Sequence, residues 1–314
     1  RRVHAGVEYL DIGSLAAMLQ GSQLLDARWQ EVLADLAPYG GVANAQLDLV
    51  LPVGGPADFR FRAAMNDVSV SPWHNAPGVR NLRGYLEITR AGGLAEIDSG
   101  AVTLEFPRLY RHDFDFDRIA GRVRWEYGAD GVHVGSTLLD ASIGGSQLAA
   151  LFDLGLRSDP EADDYISLSF GLRDADASAY RDYLPYIVSP QLQEWLDASI
   201  EAGHVARAAF TYHAVFQQPE HPFRHALQLA LDVQDAAVSY HPDWPAVRDA
   251  TGRVLVDEDR VCVELDAGHV LQGTLGSTRV EVLPRHSDGR LRVAAELKGG
   301  LEDGLRVLGN APLA

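Results

Sequence analysis

Strict alternation of apolar and polar residues recurs along most of this 314-residue chain. Leu86 and Ile88, for example, alternate with Glu87 and Thr89. Successive side chains of a strand point to opposite faces of its sheet, so each such segment predicts a strand with one apolar and one polar face. Glycine-rich turn motifs separate the segments at 54–56, 91–93, 128–131 and 287–289. The chain is therefore predicted to be mainly β and mainly antiparallel.

Helical spacing is confined to a few short segments. Ser189 and Pro190 supply an N-cap and a proline for the first turn of a helix. Trp195 follows on the apolar side of this helix, where we expect it to pack into a core, and Gly203 is expected to end the helix. Three further short helices are predicted at 29–36, 14–19 and 146–152.

An internal repeat relates the two halves of the chain. A shift of 168 residues superposes matching residues: Asp67 on Asp235, Val79 on Val247, Gly84 on Gly252, Glu96 on Glu264 and Gly100 on Gly268. Repeats that stack along one axis produce elongated bodies. We therefore predict one continuous elongated segment over residues 1–314, with repeat units of roughly 1–163 and 164–314.

Composition excludes several classes of protein. The formal net charge of −17 argues against nucleic acid as a partner, because phosphate binding needs a basic face. Cys262 is the single cysteine, which excludes an internal disulfide framework and any multi-cysteine metal site. No stretch approaches the ~18 consecutive apolar residues of a membrane helix. The sequence predicts a folded chain with no cofactor and no metal.

Catalytic motifs are also missing, and one acidic cluster is the best candidate for chemistry. Asp113, Asp115 and Asp117 alternate with Phe114 and Phe116, so strand geometry would place the three carboxylates on one polar face. A solvated strand face is the leading interpretation of this cluster. A calcium site and a hydrolase carboxylate pair are the alternatives. We predict that the chain is not an enzyme.

Many one-faced strands with few helices to cover them leave two arrangements open. Two sheets can pack face to face as a sandwich, which is the commoner solution. Alternatively, a single curled sheet can keep its apolar side open for an apolar ligand. Periodicity alone does not choose between the sandwich and the open sheet.

Three segments go beyond periodicity and resemble a known family. They are 104–125, 183–205 and 222–252. The second segment carries Tyr183, Leu184, Pro185, Trp195, Leu196, Gly203 and Val205, and the third carries Tyr240, Trp244, Pro245, Val247 and Gly252. With these blocks the chain resembles the YhdP branch of the AsmA-like proteins of Gram-negative bacteria, over essentially its whole length.

The resemblance implies a bridge-like lipid-transport protein. Its fold would be an elongated, repeated antiparallel β-sheet curled into an open apolar groove, in the shape of a taco, with a few short amphipathic helices. The groove would carry phospholipids between the inner and outer membranes and support the outer-membrane barrier. The chain would be an interior periplasmic stretch of a protein anchored in the inner membrane. Phospholipid acyl chains would be its partners, with both membranes and further envelope proteins contacted through parts outside this stretch.

The predicted lipid-binding residues are the large apolar side chains of the alternating strands. They are Leu47, Leu49, Leu51, Phe59, Phe61, Leu86, Ile88, Val102, Leu104, Phe106, Val123, Trp125, Phe170, Phe210, Tyr212, Leu227, Leu229, Leu231, Val254, Val256 and Leu265. The competing hypothesis is a structural or docking β-sandwich of an envelope assembly, in which the same side chains would be mutually buried.

Overall fold

The structure is a computed structural model that describes residues 1–22, 27–52, 57–74, 76–159, 161–216, 224–258, 260–282 and 291–309. The first strands are β1 (Arg2–Asp11), β2 (Tyr39–Val50), β3 (Asp58–Val70), β4 (Gly78–Thr89), β5 (Gly92–Glu105), β6 (Phe114–Gly128), β7 (Gly131–Ser136), β8 (Leu139–Ile143) and β9 (Ser146–Arg157). The later strands are β10 (Asp164–Asp176), β11 (Ile200–Phe216), β12 (Arg224–Val238), β13 (Val247–Asp257), β14 (Arg260–Val270), β15 (Gly273–Val282) and β16 (Leu291–Lys298). The predicted turns at 54–56 and 287–289 lie outside the described residues.

These strands form one 16-stranded antiparallel sheet in which neighbours in sequence are mostly neighbours in space. The order runs from β1 to β16, except that β7 pairs with β9 while β8 pairs with β6 and β9. The mainly β, antiparallel prediction is therefore confirmed. Two compact units divide the chain: residues 1–168 with 214–224, and residues 169–213 with 225–314.

The described helices are short. They are α1 (Ile12–Gln20), α2 (Ala27–Leu36), α3 (Tyr180–Tyr183), α4 (Pro190–Ser199) and α5 (Leu301–Gly309). Helix α4 begins as predicted, because the Ser189 hydroxyl accepts a hydrogen bond from the N–H of Leu192. Helices α1 and α2 confirm the predictions at 14–19 and 29–36.

Two of the helical predictions were wrong. Gly203 does not end α4, which stops at Ser199; it lies inside β11 with a φ of 154°, a conformation that side chains rarely adopt. Residues 146–152 form the start of β9 rather than a helix. Leu148 pairs there with Ala141 of β8, so cross-strand pairing decides the conformation of this short apolar run.

A row of irregular residues crosses the strands of each unit near one of their ends. Non-glycine residues with left-handed φ near 50–65° occur at Asn44, Asp67, Asn81 and Ala101 in the first unit and at Asp235 and Asp249 in the second. The pairing register shifts near these positions. Such β-bulges insert an extra residue and bend the strand. Several strands of each unit are therefore bent close to the same end.

The sequence repeat extends to the backbone conformation of these bulges. Asp67 and Asp235, which the shift of 168 residues superposes, have φ values of 52° and 50°. Asn81 and Asp249 are related by the same shift and have φ values of 65° and 49°. Asn and Asp tolerate the left-handed region better than most residues, which explains their use at these positions.

Buried serine hydroxyls satisfy backbone groups at the bulges of the first unit. The hydroxyl of Ser99 accepts a hydrogen bond from the N–H of Arg83 at 2.6 Å and donates one to the carbonyl of Arg83 at 2.8 Å. The hydroxyl of Ser69 accepts from the N–H of Asn81 at 3.0 Å. Both serines are only 1% exposed. Because a bulge disrupts the ladder locally, these hydroxyls stabilise the bent backbone.

Candidate functional site

An uninterrupted row of apolar residues crosses the first unit at right angles to its strands. Residues directly opposite on antiparallel neighbours share a face of the sheet. The strand registers connect the following positions in order: Ala5, Leu47, Phe61, Ile88, Gly93, Trp125, Val134 and Leu154. This row and its neighbours on the same side define what we call the apolar face.

The second unit repeats the arrangement with aliphatic residues. One row runs through Leu229, Val256, Val261, Val282 and Leu291. A second, parallel row runs through Leu231, Val254, Val263, Val280 and Val293. Neither row contains a charged or polar residue, so each unit carries a continuous apolar track on its apolar face.

The bulges keep the apolar face continuous past the bend. Val42 and Ala45 are three positions apart, and simple alternation would place them on opposite faces. The left-handed Asn44 lies between them, and both side chains are buried in one cluster with Ala63. Beyond the bulges, a further apolar row pairs Val70, Val79, Leu104 and Phe114. The extra residue at each bulge therefore returns the apolar side chains beyond it to the apolar face.

The strand registers bring most of the predicted lipid-binding residues together on these rows or beside them. Those positioned by register are Leu47, Leu49, Phe59, Phe61, Leu86, Ile88, Val102, Leu104, Val123, Trp125, Leu229, Leu231, Val254, Val256 and Leu265. The other predicted residues lie in or just after strands: Leu51 after β2, Phe106 after β5, Phe170 in β10, Phe210 and Tyr212 in β11, and Leu227 in β12.

Burial of these side chains is incomplete. All the predicted lipid-binding residues are half-buried, except Val102, which is fully buried, and Leu51, which is 41% exposed. The buried apolar residues of the described chain are mainly small and lie largely near the bulges, among them Ala45, Ala63, Ala236 and Ala250. Large apolar residues stay half-exposed when no second layer of structure covers the apolar side of a sheet.

The opposite side of the same strands, which we call the charged face, carries cross-strand ion pairs. In the first unit, Asp48 of β2 contacts His4 of β1 at 2.5 Å and Arg62 of β3 at 2.9 Å. Arg122 of β6 pairs with Glu96 of β5 at 3.0 Å. Hydrogen bonding to His4 is the main cause that lowers the pKa of Asp48, and Arg62 adds to it.

The second unit has an equivalent charged face. Asp232 of β12 accepts hydrogen bonds from two arginines, Arg207 of β11 and Arg253 of β13, with closest N–O distances of 2.7 Å in both cases. Arg279 of β15 pairs with Glu264 of β14. The hydrogen bond from Arg253 is the main cause that lowers the pKa of Asp232. Charge is thus concentrated on one face and apolar surface on the other.

The three clustered aspartates do not converge on a common point. Asp113 pairs with Arg80 at 2.9 Å, while Asp115 accepts a hydrogen bond from the Thr103 hydroxyl at 2.6 Å. Asp117 accepts from the N–H of Gly144 at 3.1 Å. In the part of the chain that the structure describes, no three His, Cys, Asp or Glu side chains come together as metal ligands. The solvated strand face remains the best interpretation of this cluster.

Aromatic residues of the apolar face are held by local packing. The ring of Trp125 lies against Gly93 on the neighbouring strand, where any side chain at Gly93 would overlap the indole. Phe106 and Tyr110 pack edge to face on Phe114, with ring centroids 6.2 and 4.9 Å from that of Phe114. Burial in this cluster raises the pKa of Tyr110. Trp195, expected in a core, is instead 47% exposed and donates its indole N–H to the carbonyl of Tyr240.

The apolar face extends beyond the residues that were predicted from the sequence. Val134 and Leu154 belong to the central row but were not predicted, and neither was β1 with Ala5. The period-two pattern of Leu148, Ala150, Phe152, Leu154 and Leu156 was a usable signal for β9. It was obscured because the first part of this run also fits a helix.

Comparison with known protein families assigns the chain. A family model described as "YhdP protein" matches residues 2–314. The chain belongs to the YhdP family. Searches of curated proteins and of solved structures returned no match. The family resemblance inferred from the three sequence blocks is therefore confirmed for nearly the whole chain. Within the described residues of this YhdP-family chain, none of the helices has both the length and the apolar character that crossing a bilayer requires.

Proposed function

We propose that this chain is a periplasmic segment of a bridge-like protein and that its apolar face holds phospholipid acyl chains on their way between the inner and outer membranes. The observation that carries the proposal is the apolar row of the first unit, which runs from Ala5 to Leu154 without a charged residue. Membership of the YhdP family supports the same function. This function requires no catalytic group.

The direction of the row suits an extended acyl chain. Neighbouring strands lie ~4.8 Å apart, so the eight strands that the row crosses give a track of roughly 34 Å. Each CH₂ group kept out of water contributes ~0.8 kcal/mol. A lipid that moves along such a track exchanges one apolar contact for another, whereas a lipid that leaves it exposes both tails to water. The continuous row therefore favours movement along the sheet.

The burial of the side chains supports an open face over the competing sandwich. In a sandwich, residues such as Phe61, Leu86 and Leu229 would be covered by a second sheet, but each of them is half-buried here. The bulges would supply the curvature of the proposed trough, because an extra residue bends a strand and the bulges of several strands lie near the same end. The apolar face would be the inner side of this trough, since the buried alanines lie close to the bulges.

Photocrosslinking in the full-length protein in cells tests the proposal. A photoreactive residue at Phe61 or Leu229 should capture phospholipid, detected by mass spectrometry of the adduct. Matched controls at Arg62 and Ala230 place the probe one residue away, on the charged face, and should capture none. Equal capture from both faces, or capture from the charged face alone, would reject the apolar face as the lipid site. Complete absence of lipid at Phe61 and Leu229 would favour the docking sandwich.

A further inference from the structure

One end of the apolar face, where the turns between paired strands lie, combines apolar, hydrogen-bonding and cationic groups. The turn that joins β4 to β5 contains Arg90 and Ala91. The N–H of Tyr127, at the end of β6, donates to the carbonyl of Ala91 at 2.8 Å. Trp125, two residues earlier on β6, stands on the central apolar row opposite Gly93. We call Arg90, Trp125 and Tyr127 the rim cluster.

The two aromatic residues of the rim cluster have unused donors. Trp125 is held against Gly93, and among the described residues no protein atom accepts a hydrogen bond from its indole N–H. Tyr127 is 54% exposed, and its hydroxyl likewise has no partner in the described chain. Trp and Tyr with an apolar body and a polar tip are favoured where hydrocarbon meets water. Their positions mark such a boundary at the edge of the apolar face where these turns lie.

Arg90 differs from most arginines of the charged face. Arg60, Arg62 and Arg122 on the adjoining strands each pair with a carboxylate. Arg90 is exposed and pairs with no carboxylate in the described part of the chain. The nearest acidic residue of β6 in sequence, Glu126, alternates with Trp125 and so faces the opposite side. The Arg90 guanidinium is therefore available to an anion.

We propose that the rim cluster binds the phosphodiester of a glycerophospholipid whose tails lie on the apolar row. Arg90 would donate to the phosphate oxygens, and Trp125 and Tyr127 would donate to the ester and phosphate oxygens next to them. Guanidinium groups bind phosphate through paired, charge-assisted hydrogen bonds. Along the strand direction, Trp125 lies on the apolar row. Tyr127 and Arg90 follow two positions beyond Trp125 and Ile88. Tails on the row would therefore be followed by the glycerol esters beside Trp125 and by the phosphate near Tyr127 and Arg90. The inference rests on the proposed function, because the row must first hold the tails.

Binding measurements on the purified chain test the rim cluster. The ligands are a short-tailed phosphatidylcholine below its micellar concentration, a diacylglycerol with the same tails, and inorganic phosphate alone. We expect the wild type to bind the phospholipid more tightly than the diacylglycerol. Arg90→Gln should weaken phospholipid binding about tenfold, or ~1.4 kcal/mol, and leave diacylglycerol binding within about twofold of the wild type. Trp125→Phe and Tyr127→Phe should weaken phospholipid binding about threefold.

Arg124→Gln is the matched control. Arg124 lies beside Trp125 on the same strand but on the charged face, and it also pairs with no carboxylate among the described residues. It should leave binding of both lipids unchanged. An equal loss in Arg90→Gln and Arg124→Gln, or equal wild-type affinity for phospholipid and diacylglycerol, overturns the rim cluster but leaves the apolar track intact.

Two further outcomes separate the remaining explanations. If neither lipid binds the wild type, the proposed function fails and the rim cluster fails with it. If inorganic phosphate alone binds as tightly as the phospholipid, with the same dependence on Arg90, the site is one for free phosphate and the lipid assignment is overturned. Circular dichroism checks that each variant is folded. Arg90 lies in an exposed turn, where substitution is expected to be well tolerated.

Discussion

The two faces of the same strands differ in whether their side chains have partners within the chain. On the charged face, Arg60 of β3 pairs with Glu87 of β4 at 3.6 Å, and water can solvate the rest of both side chains. On the apolar face, Phe61 of β3 lies opposite Ile88 of β4, and both side chains remain half-buried. Most of the arginines on the charged face of these strands pair within the chain, whereas the apolar face still exposes surface that water disfavours. A ligand or partner with apolar chemistry would complete it.

The largest effect on stability is expected when the same positive charge is placed on each face of one strand in turn. Val256 of β13 lies on the apolar row of the second unit, and Leu255 beside it lies on the charged face, 37% exposed. Val256→Lys should lower the free energy of unfolding by about 2–3 kcal/mol, because its ammonium group has no carboxylate on that row. Leu255→Lys should change it by less than about 1 kcal/mol, since Glu281 and Asp257 lie on its own face.

Urea denaturation followed by circular dichroism measures both values. The prediction is a difference between two adjacent positions. A general sensitivity of β13 to substitution would lower the stability of both variants and would not produce this difference. Similar losses for Val256→Lys and Leu255→Lys would mean that the two faces are equally tolerant of charge, and the division of the sheet into an apolar and a charged face would then be wrong in energetic terms.

An intermediate effect is expected at the bend of the apolar face. Ser99→Ala removes the buried hydroxyl that bonds both the N–H and the carbonyl of Arg83. Leaving these backbone groups without a partner away from water should cost about 1–3 kcal/mol in the free energy of unfolding. Thr137→Ala is the control: its exposed hydroxyl accepts from the N–H of Arg122 at 3.1 Å, and water can replace it, so a loss below about 0.5 kcal/mol is expected. Equal losses of unfolding free energy in the two variants, measured by thermal or urea unfolding, would show that Ser99 does not stabilise the bulge.

Most strands and the identity of the apolar face could be predicted from the sequence, because alternation is a local property. Phe61 and Ile88 could be assigned to one face before their pairing was known. The bulges could not: Asp67 and Asp235 fit the pattern as ordinary polar positions, and their left-handed conformation depends on the register of the neighbouring strands. The same dependence on neighbours explains the misassigned start of β9.

The rim cluster was harder still to foresee. Trp125 was predicted as a lipid-binding residue, but Arg90 and Tyr127 carried no signal of their own. Arg90 becomes distinctive only by comparison, once most of the arginines on the adjoining strands are seen to pair with carboxylates. Such a contrast depends on which strands are adjacent, and sequence spacing does not contain that information.

The smallest effect is expected on the charged face itself. Asp232→Asn removes a carboxylate that bonds Arg207 and Arg253, and its side chain is 26% exposed. Pairs this close to solvent contribute little, so the free energy of unfolding at pH 7 should fall by only about 0.5–1 kcal/mol, and by less at high salt.

The arginines lower the pKa of Asp232 in the folded state from its ordinary value of 3.8. A lowered folded pKa means that the contribution is fully present above about pH 4 and is lost as the pH falls through the folded value. Urea unfolding of wild type and variant at a series of pH values should therefore show a difference in unfolding free energy that is constant near neutrality and closes below about pH 4.

Asp58→Asn is the control, because it removes an exposed carboxylate with no ion pair in the described chain and should leave stability at pH 7 unchanged. A gap that widens in acid would contradict the sign of the linkage, and a loss above 2–3 kcal/mol would mean that the charged face contributes as much to stability as the apolar face does.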